Sequence, residues 1–214
     1  MSYQLAIFDF DGTLADTFPW FIGVVNGVAD LYGFKRIESH EVDTLRGQGA
    51  RQIVRHLGIP AWKLPLIARH MRRLAARDVA RIRLFEGADA ALRALAGAGV
   101  GIAVVSSNGE DVVRRTFGPA LAGLVDHYAC GAAMFGKAAK FRRVVKASGV
   151  APSRTICIGD ELRDTDAARA AGLAFGAVAW GYTRADALRS SGPDLMIERI
   201  GDLAPCLLGD LLPA

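Results

Sequence analysis

Cysteine is scarce in this chain of 214 residues: Cys130, Cys157 and Cys206 are odd in number and scattered, which supports neither a disulfide framework nor a zinc site. Long hydrophobic runs are missing as well. Although 51% of the residues are apolar, which excludes disorder, the longest apolar stretch, Ala170 to Gly181, is glycine-punctuated and falls short of the roughly 18 residues of a membrane helix. The N-terminus has no basic segment ahead of an apolar one, and a soluble cytoplasmic protein without membrane contact is expected. No GxxxxGK[ST] pattern exists, so a P-loop nucleotide site is excluded, and no GxGxxG follows the first apolar run, so a dinucleotide-binding oxidoreductase is excluded too. Acidic residues are nearly absent between Arg46 and Arg83, where ten basic residues face one acid, Asp78; this segment carries the whole excess of the +4 net charge. With no aromatic interleaving and no zinc-finger spacing, a nucleic-acid partner is not expected; most of these arginines, Arg72 and Arg73 among them, read as a solvated helix face.

What is present is an ordered alternation. A strand at about Gln4 to Phe10 leads into a long helical stretch in which Phe18, Phe21, Ile22, Val25, Val28, Ala29 and Tyr32 recur at helical spacing up to Gly33. Further helices are expected at about Ser39 to Leu45, Gly49 to Leu57 and Lys63 to Arg81. From Ala88 the order becomes helix (Ala88 to Ala98), strand (Gly101 to Val105), helix (Glu110 to Phe117), strand (Asp126 to Cys130), helix (Ala138 to Ser148), strand (Thr155 to Ile158), helix (Thr165 to Ala171) and strand (Phe175 to Ala179). Alternation of this kind predicts an α/β fold: a Rossmann-like parallel sheet with helices on both faces. The helical stretch separates the first strand from the rest, giving a core domain of residues 1–16 and 85–214 and a small all-helical domain of residues 17–84.

The first strand ends in Phe8-Asp9-Phe10-Asp11-Gly12-Thr13-Leu14. Two carboxylates flanking one apolar residue at the break of a buried strand require compensation, for which Mg2+, a hard cation that binds through carboxylates and phosphate oxygens, is the natural candidate; the alternative is a strand-end turn with two solvated carboxylates. If ligands gather beyond the carboxyl ends of the strands, later strands should deliver polar groups there. Ser106-Ser107-Asn108 closes one strand with donors suited to a phosphate oxygen, or caps the helix that follows. Phe135-Gly136-Lys137-Ala138-Ala139-Lys140 brings two lysines to a helix start. Ile158-Gly159-Asp160-Glu161-Leu162-Arg163-Asp164-Thr165-Asp166 places four acids in seven residues after another apolar strand, a group that repels itself without a cation.

These segments resemble the four motifs of the haloacid dehalogenase superfamily, with the helical stretch at the place of the cap that some members insert between their first and second motifs. The resemblance implies Asp9 as nucleophile, forming an aspartyl-phosphate, and Asp11 as general acid/base; members that cleave carbon–halogen bonds lack the second Asp. It implies Ser106, rather than Ser107, as the second motif, and a lysine at the helix start, Lys137 in preference to Lys140, with Ala138 where the family usually has proline. It implies Asp160 as a direct Mg2+ ligand with Asp9 and the backbone carbonyl of Asp11, and Asp164 as an outer partner; Glu161 and Asp166 have no assigned role. Thr13, Ser106, Ser107, Asn108 and Lys137 are the expected substrate contacts, joined by Gln48 and Arg46 from the Leu45-Arg46-Gly47-Gln48-Gly49 loop, which resembles a substrate-selecting loop or simply connects two helices. The expected activity is that of a Mg2+-dependent phosphomonoesterase, phosphoglycolate phosphatase-like, acting on a small phosphorylated metabolite as a monomer or homodimer. A sugar phosphomutase of the β-phosphoglucomutase kind and a non-catalytic binding module are the alternatives.

Overall fold

The computed structural model describes residues 3–131 and 136–210. Strands β1 (Leu5–Phe8), β4 (Gly101–Val104), β5 (His127–Tyr128), β6 (Thr155–Gly159), β7 (Ala174–Val178) and β8 (Leu195–Ile197) form one parallel sheet in the order β5-β4-β1-β6-β7-β8. A parallel strand covered on both faces must be apolar throughout, and β1 and β6 are buried at every position. Their alternate residues divide between two cores: Ala6, Phe8, Ile102, Ile156 and Ile158 face one way, while Leu5, Ile7, Ala103, Cys157 and Phe175 face the other. Helices α5 (Ala88–Gly97), α6 (Glu110–Ala122), α7 (Lys137–Ser148), α8 (Leu162–Ala171), α9 (Ala185–Ser190) and α10 (Leu203–Leu208) cover the sheet. Chain order reverses direction at β1, so its carboxyl end, flanked by those of β4 and β6, is the crevice where open α/β sheets bind ligands.

The segment between β1 and α5 is helical: α1 (Phe18–Tyr32), α2 (Val42–Arg46), α3 (Ala50–His56) and α4 (Leu64–Arg77). At its root a two-stranded antiparallel ribbon pairs β2 (Ala15–Asp16) with β3 (Arg83–Leu84), bringing the entering and leaving chains side by side. Helix α1 carries Pro19 in its first turn and ends at Gly33 in the left-handed conformation, φ 63°. Cross-links within the segment are polar as well as apolar: Trp20 Nε1 donates to Asp78 Oδ2 at 3.1 Å, and Asn26 holds the backbone of Ile37 through both its amide atoms, at 2.9 and 2.8 Å.

Several boundaries differ from the sequence expectation. Strand β1 stops at Phe8, because Phe10 already accepts turn hydrogen bonds from Leu14 and Ala15. The helix expected to run to Arg81 closes at Arg77; Asp78 caps it and a 3₁₀ turn, Val79–Arg81, follows. Helix α6 continues past Phe117 across a break at Gly118-Pro119, where glycine adopts φ 69°. Helix α8 begins at Leu162, three residues before the expected start, and so carries Asp164 in its first turn. The arginines of α4 are not uniformly solvated: Arg73 is exposed, whereas Arg72 is half-buried and lines an internal cavity.

Candidate active site

Asp9 leaves the sheet at the end of β1 with its backbone N–H still donating to Ile158 at 2.8 Å, so it is placed by the ladder itself. Its side chain is buried: Oδ1 accepts the N–H of Phe10 at 2.7 Å and Oδ2 meets Lys137 Nζ at 2.6 Å. Lys137 opens α7, is equally buried, and donates to Asp164 Oδ1 at 2.7 Å. Lys140 instead donates to the carbonyls of Ala129 and Cys130, at 3.1 and 2.7 Å, away from the acids. Of the segment read around the lysine, Phe135 lies outside the described residues.

Asp160 follows β6 and is fully buried. Its Oδ1 accepts from Thr13 Oγ1 at 2.8 Å and its Oδ2 from the N–H of Tyr182 at 2.7 Å. Thr13 thus holds a carboxylate rather than facing open space. Two glycines make room: a Cβ on Gly12 or on Gly181 would overlap the Asp160 side chain, and Gly12 sits at φ 73° besides, which only glycine adopts cheaply. Oxygens of Asp9, Asp160 and Asp164 lie within 4.8 Å of one another.

Asp11 stands outside that group, half-buried, its carboxylate accepting two contacts from Asn108 Nδ2 at 2.8 and 2.9 Å. Ser106 is buried beside it, 3.5 Å from Asp11 Oδ2, and accepts the N–H of Asn108 at 3.0 Å. Asn108 is therefore engaged with Asp11, while Ser107 is half-buried and faces the cavity over the site. Gln48 lines that cavity too. Arg46 reaches it but is held by the core: Nε donates to the carbonyl of Tyr182 at 2.9 Å, Nη2 to that of Gly181 at 3.0 Å, and the guanidinium lies 5.2 Å from the centre of the Phe18 ring.

The loop from Trp180 to Arg184 was missed in the sequence, where it closed an apolar run. It positions Asp160 through Tyr182 N–H, joins α1 through Tyr182 Oη and Thr17 Oγ1 at 2.9 Å, and anchors α2 through Arg184. The available signal was Gly181 between two aromatics just past a strand. Arg163, also unassigned, is paired with Glu161 at the cavity wall.

The electrostatics are those of a crowded acidic pocket. Burial pushes the Asp9 carboxyl up to about 7 against the pull of Lys137, and burial together with Glu161, Asp9 and Asp164 raises Asp160 well above the ordinary range. Burial also raises Asp11. For Lys137, burial works against the charge, but Asp164 and Asp9 outweigh it and hold the ammonium form. Lys137 pairs with two of the three buried carboxylates, and Asp164 Oδ2 is buried with no hydrogen-bond partner among the described residues. A hard divalent cation with oxygen ligands fits this donor set: all-carboxylate, converging, and short of positive charge.

Residues 6–178 match the haloacid dehalogenase-like hydrolases, and the chain belongs to that family. It is 29% identical over 201 residues to the phosphoglycolate phosphatase of Synechococcus elongatus, covering 94% of this chain and 95% of that one. The tyrosine-protein kinase PtkA of Mycobacterium tuberculosis is 30% identical over 191 residues, 86% of this chain but 65% of that protein. Among solved structures, one described as a predicted phosphatase from Clostridium acetobutylicum superposes with a TM-score of 0.82 at 17% identity, covering 98% of this chain and 100% of that one, a likeness of fold. The chain is thus a hydrolase that groups with phosphatases. No helix among the described residues is long and apolar enough to cross a membrane.

Proposed function

We propose that this hydrolase is a Mg2+-dependent phosphomonoesterase that cleaves a small phosphorylated metabolite through an aspartyl-phosphate on Asp9. The observation that carries this reading is the convergence of Asp9, Asp160 and Asp164 at the carboxyl ends of β1 and β6, with Lys137 paired to Asp9 and Asp164. Asp9 attacks phosphorus with one carboxylate oxygen as the ester P–O bond breaks, and the leaving alkoxide takes a proton from Asp11. Water then attacks the acyl phosphate, gives its proton to Asp11, and releases phosphate with the Asp9 carboxylate restored. Lys137 and Ser106 hold nonbridging phosphoryl oxygens, and Asn108 orients Asp11. Asp9, Asp160 and the backbone carbonyl of Asp11 would hold Mg2+, with Asp164 behind them. The ion, when bound, neutralises the phosphoryl oxygens so that a carboxylate can approach them. Residues 17–84 act as a cap domain that closes over the site, with Arg46 latching it to the loop at Tyr182. The names of the full-length relatives make 2-phosphoglycolate the first compound to assay.

Phosphate release from a panel of phosphomonoesters, with and without Mg2+, tests the reading; turnover indifferent to chelator would overturn it. Mg2+ should also raise the melting temperature, because it binds the folded state alone. Ca2+ should raise it too while supporting little turnover, since its looser coordination spoils in-line geometry. Replacing Asp11 with Asn should slow turnover about 10²–10³-fold with the Mg2+-dependent melting shift retained, as Asp11 contributes a proton and not a side-chain ligand. Loss of the shift with an unchanged single-turnover rate would reverse that assignment.

A further inference from the structure

Over the acidic pocket lies a cavity of about 300 Å³, lined by Asp11, Asn108 and Arg163 of the core and running between α1, α3 and α4. That volume is at the lower end of small-molecule sites, roughly 300–1,000 Å³. Its walls are largely aliphatic and aromatic: Phe21, Val25, Ile53, Val54, Ile67 and Met71 all line it. Several of these side chains, Phe21, Ile53, Val54 and Met71 among them, are only partly buried, so the helices do not close their own core. Apolar surface left facing a water-accessible space forfeits both burial and dispersion contacts. A leaving group that fills the space recovers both.

Two of the polar groups that line it are already committed, while Gln48, Ser107 and Arg72 line it as well. Arg46 spends its guanidinium on two backbone carbonyls and Asn108 spends its amide on Asp11. A two-carbon carboxylate would leave the apolar body unfilled. Resting on the phosphatase reading above, we infer that the preferred substrate is a phosphomonoester of an apolar alcohol, with phosphate at Asp9 and an alkyl or arylalkyl chain longer than two carbons extending between α1, α3 and α4. Alkyl esters keep the reactivity of the leaving alcohol nearly constant, so a rising rate along such a series reports burial and not chemistry.

The test is kcat/KM for phosphate release from ethyl, butyl and hexyl phosphate and from 2-phosphoglycolate, with Mg2+, on the full chain. Each added methylene should raise kcat/KM about threefold to fourfold, the factor that burial of one CH2 sets, and 2-phosphoglycolate should lie below butyl phosphate. Replacing Ile53 with Phe should fill part of the cavity and end the rise at a shorter chain. A series that is flat, or that ranks 2-phosphoglycolate first, overturns this inference and leaves the phosphatase reading standing. A rise that Ile53→Phe leaves unaltered, with the variant folded by its melting curve, places the chain elsewhere and overturns it too. Should that variant not fold, the wild-type series decides alone. Absence of release from every ester overturns the phosphatase reading and the inference together.

Discussion

Replacing Asp9 with Asn is expected to lower steady-state phosphate release by at least about 10⁴-fold on every substrate alike, with the fold retained. The amide keeps the acceptor that Oδ1 offers to the N–H of Phe10, so the turn after β1 has its contact. It loses the negative oxygen that faces Lys137, and with it the proposed nucleophile and one proposed Mg2+ ligand. Stability in the absence of metal should not fall, since a carboxylate that burial pushes up to about 7 is one the interior holds at a cost. Acid quench of a single turnover followed by peptide mass spectrometry should find phosphate on Asp9 in the wild type and none in the variant. Near-wild-type hydrolysis by Asp9→Asn, or phosphate trapped on another side chain, would remove Asp9 from the mechanism.

The acids of the pocket were legible in the sequence because each follows a strand whose burial forces an unbroken apolar run, so the first polar residue after the run marks the sheet edge. Asp9 after Phe8 and Asp160 after Gly159 both follow this logic. The lysine was legible only as a choice of two. Helix phase separates them: Lys137 is the first residue of α7 and buried against Asp9 and Asp164, and Lys140 reaches back to the carbonyls of Ala129 and Cys130. Asn108 and Thr13 read as phosphate contacts, and geometry gives each a carboxylate partner, Asp11 and Asp160, from a distant part of the chain. No spacing rule reports a pairing of that kind. The Tyr182 loop escaped for a different reason: it positions Asp160 through a backbone N–H and through the missing Cβ of Gly181, neither of which has a side-chain signature. The short elements after β7, namely α9, β8 and α10, went unread because segments of three to six residues carry too little periodicity to declare a type.

Lys137→Met should produce the second large effect, and it separates charge compensation from simple packing. The ammonium is 3% exposed and meets Asp9 Oδ2 at 2.6 Å and Asp164 Oδ1 at 2.7 Å, with Asp160 in the same cluster. Methionine fills the space of the lysine stem but leaves two buried carboxylates with no cation between them. Removal of one partner of a buried pair costs about 3–5 kcal/mol, which should appear as a lowered melting temperature without metal. Mg2+ should recover much of that loss, because it supplies positive charge to the same carboxylates, so the metal-induced melting shift should be larger in Lys137→Met than in the wild type. Activity should not recover with it. The phosphoryl oxygens would lack their fixed donor, and kcat should stay depressed by about 10³-fold at saturating Mg2+. Lys140→Met is the matched control, expected to retain wild-type kcat because its ammonium serves the backbone carbonyls of Ala129 and Cys130. A Lys137→Met protein with wild-type kcat, paired with an inactive Lys140→Met, would move the active-site lysine one helical turn along α7 and undo the charge balance assigned to this pocket.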